Sequence, residues 1–90
     1  MVLNMANILE MEEELFYNVP IGGVFEYEGA LFVCMEYDYD REGYPSRCLS
    51  VKNPFKYADG LDYFFKDTDK VNLIYEKELR KLIPDRDYEP

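Results

Sequence analysis

The apolar positions of this 90-residue chain change period after residue 20. Over residues 4–16, Met5, Ile8, Leu9, Glu12, Leu15 and Phe16 recur at spacings of three and four, which predicts a helix with an apolar stripe and one acidic interruption. Asn4 or Asn7 can cap its start, and Asn18-Val19-Pro20 ends it. From Val24 the period is two. Val24–Tyr27 and Ala30–Tyr37 read as β-branched and aromatic strands joined at Glu28-Gly29, where glycine can take the positive φ of a tight hairpin. Ser46–Lys52 reads as a third strand, stopped at Asn53-Pro54. Leu61–Lys66 and Val71–Tyr75 follow on either side of Asp67-Thr68-Asp69. Residues 76–83 predict a helical turn or two, with Glu76 and Arg80 at i,i+4, and residues 84–90 a polar tail.

These elements predict one domain over residues 1–90: a helix at 4–16, a five-stranded β core over 24–75 and the tail. The expected class is mainly β (α+β). Five short strands with tight turns suggest a small antiparallel barrel of the SH3-like or OB-like kind, because closure hides strand edges. A bent open sheet packed by the N-terminal helix is the alternative. At 48% hydrophobic and 17% aromatic residues, with nine Tyr and six Phe, the chain is too apolar to stay disordered. No apolar run approaches the roughly 20 residues of a membrane span, and no basic-then-apolar leader opens the sequence, so a soluble, unsecreted protein is expected.

The net charge of −9 is unevenly distributed. Residues 1–46 carry ten acids against Arg41 alone, whereas residues 47–90 balance nine acids with nine bases. Direct binding to nucleic acid needs clustered Lys and Arg and is not expected; a basic or metal-bearing partner fits better. Solubility alone would also account for an acidic surface. With no His, neither a Ser–His nor a Cys–His nucleophile can be assembled, so no enzyme is expected. No cofactor is expected either. Cys34 and Cys48 fall on neighbouring strands and read as reduced, buried side chains. The segment Asp38-Tyr39-Asp40-Arg41-Glu42-Gly43 begins like a calcium loop, with acids at positions 1, 3 and 5 and glycine at 6. Position 12, where a bidentate Glu would close the sphere, is Leu49, so the segment reads as a strand-connecting loop and no metal is expected.

The same acids suggest a surface. In an extended strand Glu36, Asp38 and Asp40 project from one face at about 6.6–6.8 Å intervals, and Glu26 and Glu28 do likewise on the strand before. Such rows can imitate backbone phosphates, while Tyr37, Tyr39 and Tyr44 stack on Arg planes or stand in for bases. The expected interface is Glu26, Glu28, Glu36, Tyr37, Asp38, Tyr39, Asp40, Glu42 and Tyr44, with Glu10, Glu13 and Glu14 as outer contributors.

Val19-Pro20-Ile21-Gly22-Gly23-Val24-Phe25-Glu26-Tyr27-Glu28-Gly29, followed by Leu31-Phe32-Val33, resembles the opening hairpin of small phage- and prophage-encoded proteins, many with SH3-like barrels. That resemblance implies a mobile-element origin, action in the cytoplasm of a bacterial host and interference with a host machine. The expected function is non-catalytic inhibition of a nucleic-acid-handling defence complex, of the anti-CRISPR kind, by occupying its basic nucleic-acid site. Two other classes compete: an interaction module that recruits a partner through an aromatic groove, and a protein that sequesters a small ligand beside Arg47, Lys52, Lys56, Lys66 and Lys70.

Overall fold

The computed structural model describes residues 9–50 and 52–82. Six strands form one antiparallel sheet: β1 (Glu12–Leu15), β2 (Val24–Tyr27), β3 (Ala30–Cys34), β4 (Pro45–Leu49), β5 (Tyr63–Phe64) and β6 (Lys70–Ile74). A 3-10 turn at Phe16–Asn18 follows β1; a short helix, α1 (Glu76–Leu79), and a second 3-10 turn at Arg80–Leu82 follow β6. The strand order is β1-β6-β2-β3-β4-β5, so β2 to β5 form a meander and β6 returns beside β2.

The five strands expected over residues 24–75 are all present, most of them shorter than the sequence pattern suggests. Two expectations fail, and for one reason. Residues 12–15 form a strand rather than the end of a helix, with Glu12 opposite Leu73 and Leu15 opposite Lys70. Residues 4–8 of the predicted helix lie outside the described residues. The backbone of β6 needs hydrogen-bond partners on both sides, and this tertiary demand outweighs the weak helical periodicity of a segment that carries three successive Glu. By taking the free side of β6, β1 also occupies the edge on which a barrel would close. The sheet is therefore open, with β1 and β5 at its edges.

Both faces of the sheet are covered. On one, Phe25 is fully buried beneath Phe16, Val19, Phe32, Cys34 and Val71. Phe65, in the short link from β5 to β6, packs its ring 5.1–5.4 Å from those of Phe16, Phe25, Tyr27 and Phe32. On the other face Leu31, Leu49 and Ile74 pack with Leu79 of α1 and with Leu9. Glu78 is buried among these groups; its Oε1 accepts hydrogen bonds from the Glu10 backbone N–H (3.1 Å) and from Lys81 Nζ (2.7 Å). This carboxylate ties the segment before β1 to the C-terminal helix. The hairpin between β2 and β3 turns on Glu28 (φ 50°) and Gly29 (φ 86°), both left-handed, as a two-residue primed turn requires.

Candidate partner-binding surface

The loop from β3 to β4 is a narrow, ordered projection. Met35 N–H donates to the Pro45 carbonyl at 2.8 Å, and Asp38 N–H donates to the Gly43 carbonyl at 2.7 Å. Asp38 organises the tip. Its Oδ1 accepts the backbone N–H groups of Asp40 (3.0 Å) and Arg41 (3.1 Å), and its Oδ2 accepts Arg41 Nε at 2.7 Å. Arg41 Nη2 also donates to Asp62 Oδ2 at 2.7 Å, while Arg47 Nε donates to Asp62 Oδ1 at 2.9 Å. The Arg41 guanidinium lies 4.8 Å from the centre of the Phe64 ring. Gly43 lies so close to that ring that a Cβ there would stand 3.1 Å from two of its carbons. Hydrogen bonding from Arg41 holds the Asp38 carboxyl below the usual carboxylate range, and Arg41 with Arg47 does the same for Asp62. Charge-assisted bonds thus fix the loop against β4 and β5.

Three tyrosines cluster on this frame. The Tyr37 ring meets Tyr39 edge-on at 4.9 Å and Tyr44 at 5.0 Å. Tyr39 is 85% exposed. Glu36, Asp40 and Glu42 around them are exposed, and among the described residues none of the three forms an ion pair.

Of the nine residues expected at the interface, Glu36, Tyr37, Asp38, Tyr39, Asp40, Glu42 and Tyr44 therefore share one loop. The extended row expected of Glu36, Asp38 and Asp40 does not form, because the chain folds back at the Asp38–Gly43 bridge. Asp38 is the loop's internal anchor. Glu26 and Glu28 belong to the hairpin at the opposite end of β3, separated from the loop by a strand of about 17 Å. Glu26 is itself engaged: Oε1 accepts Asn72 Nδ2 (2.7 Å) and Oε2 accepts Gly29 N–H (2.6 Å). Of the outer acids, Glu13 and Glu14 stand on β1 and Glu10 lies two residues before it; beside them Glu12 accepts the Tyr75 hydroxyl at 3.3 Å, and Glu14 accepts Asn18 Nδ2 at 3.3 Å. Negative potential there, chiefly from Glu12, raises the pKa of Tyr75, as Glu28 raises that of Tyr27.

Among the described residues, concavities lie on both faces of the sheet. One, of about 520 Å³, adjoins the tyrosine loop and is lined by Phe16, Tyr17, Val19, Pro20, Ile21, Cys34, Tyr44 and Asp67. A more apolar groove of about 410 Å³ runs over the Val24, Val33, Leu49 and Ile74 side of the sheet, beside Phe55, Tyr57 and Leu79. The strand pattern points neither to Tyr17, Ile21 and Asp67, which are brought together by the strand at 12–15, nor to Phe55, whose partners are remote in sequence. Of the five bases considered for a ligand site, two are placed far apart in the sheet. Arg47 pairs with Asp62, and Lys70 stands on β6, three strand positions from β4. Cys34 and Cys48 are free thiols on diagonal positions of β3 and β4, and burial pushes both up in pKa. Among the described residues no helix is long and apolar enough to cross a membrane, and no three acidic or Cys side chains converge as metal ligands. Compared with protein-family models, curated proteins and solved structures, the chain matches none.

Proposed function

We propose that this protein is a non-catalytic binding protein that docks its tyrosine-rich acidic loop into the basic nucleic-acid site of a nucleic-acid-handling partner. A single observation carries the reading: Tyr37, Tyr39 and Tyr44 stand as a ring cluster on a braced loop, rimmed by three carboxylates with no ion-pair partner among the described residues. Tyrosines buried at the centre of an interface supply most of its residence time, and uncompensated charge at the rim accelerates encounter with a cationic groove. Bracing by Asp38, Arg41 and Asp62 lowers the ordering cost of binding. The likeness of residues 19–33 to phage-encoded proteins makes a bacterial defence complex the first partner class to test, with the chain acting there as an inhibitor.

The test is capture from bacterial lysate by the wild-type protein and by a Glu36→Lys, Asp40→Lys, Glu42→Lys variant, followed by competition with nucleic acid. A captured protein that is lost with the variant and released by added single-stranded or duplex DNA supports the proposal. Capture indifferent to both changes would refute it.

The apolar groove beside Phe55 and Tyr57 favours a second reading, an interaction module that holds a partner by apolar contact. Such binding varies little with salt, so elution with rising salt separates the two.

A further inference from the structure

We infer that the concavity beside the tyrosine loop is a receptor for an arginine side chain of the partner. Apolar groups of Phe16, Val19 and Cys34 form part of its lining, all three side chains being buried. Desolvation raises the Cys34 pKa, so this thiol is neutral at physiological pH. Tyr17, 71% exposed, and the half-exposed Tyr44 are the aromatic residues at its rim, and Asp67 is the single acidic residue of its lining. Among the described residues Asp67 enters no ion pair, and no Lys or Arg lines the cavity.

This set of groups selects for a guanidinium. A planar, weakly hydrated cation stacks on aromatic faces, pairs with a carboxylate through parallel N–H donors and lays its aliphatic stem along an apolar wall. A compact ammonium gains less from the rings and loses more hydration. The volume of about 520 Å³ accommodates one long side chain and lies within the range of small-ligand sites. Tyr44 belongs both to the cavity and to the Tyr37 cluster, so a partner lying on the loop has a side-chain receptor at its margin.

The origin of the arginine rests on the proposed function; the site itself can be tested without any partner. N-acetyl-arginine amide is titrated into the whole protein and followed by amide chemical shifts, with the citrulline and lysine amides as comparisons. Saturable shifts are expected at Phe16–Ile21, Cys34, Tyr44 and Asp67, with citrulline and lysine each bound at least about fivefold more weakly. Asp67→Asn weakens the arginine amide by about fivefold, and Tyr17→Ala weakens it further. Both altered side chains are exposed, so the variants should keep the wild-type spectrum elsewhere. Equal shifts with citrulline, tighter binding of lysine, or arginine shifts confined to the Glu12–Glu14 strand would overturn the inference. Each of these results leaves the role of the loop to be decided independently by the lysate experiment.

Discussion

Asp38 and Asp40 are the same residue type two positions apart, yet they do different work. Asp38 spends its carboxylate on two backbone N–H groups and on Arg41, whereas Asp40 points its charge into solvent. Sequence alone presents them as equivalent members of an acidic row; only the fold-back at Gly43 separates them. Reversal of Asp40 and Glu42 should therefore slow association without moving the melting temperature, while Asp38→Ala should loosen the loop itself, read as loss of the mutual ring-current shifts of Tyr37, Tyr39 and Tyr44. Tyr39→Ala is expected to weaken the partner complex at least about tenfold and to leave the melting temperature within about 3 °C of wild type. Phe25→Ala, at a fully buried ring, should cost about 3–5 kcal/mol in denaturant titration. Three carboxylates, Asp38, Asp62 and Glu78, have pKa values below normal because Arg41, Arg41 with Arg47, and Lys81 with the Glu10 N–H respectively bond to their charged forms. A depressed folded-state pKa stabilises the fold above the unfolded value near 4 and loses that contribution as pH falls through the folded value. Acid unfolding should accordingly begin below about pH 4, and Glu78→Gln should flatten its slope while lowering stability at pH 7.

Elements with a strong alternating pattern were readable from the sequence because period two and the Glu28-Gly29 turn agree with each other. The hairpin of β2 and β3, the return strand β6 and the helix after it are found where the pattern places them to within a few residues, although β3 ends at Cys34 rather than Tyr37, which leaves Glu36 and Tyr37 in the loop. β1 was not readable, since its partner is the backbone of β6, 55 to 61 residues away, and its side chains carry a helical spacing. Backbone chemical shifts of Glu12–Leu15 should be extended in character, and the amides of Val71–Leu73 should exchange slowly because β6 is flanked on both sides. Helical shifts at Glu12–Leu15 would restore the helix and the free barrel edge together. Charge acts at that edge: the consecutive Glu of β1 repel a second identical strand. The two-residue β5 is too short to offer a template at the opposite edge.

At the scale of the whole molecule, the lopsided charge of the sequence resolves into three places: the segment at residues 10–14, the β2–β3 tip and the tyrosine loop. The balanced second half supplies the braces, with Arg47 and Asp62 holding the loop and Lys81 holding Glu78. An even distribution of charge would give no steering direction, whereas concentration beside exposed aromatic rings couples fast encounter to slow release. The decisive quantity is the association rate constant with the captured partner, measured from about 0.05 to 0.5 M salt for wild type and for the Glu36→Lys, Asp40→Lys, Glu42→Lys variant. Screening should slow the wild-type rate at least about tenfold across that range and flatten the dependence for the variant. Rates that do not change with salt, or equal salt slopes for the two proteins, would contradict a charged loop as the docking element.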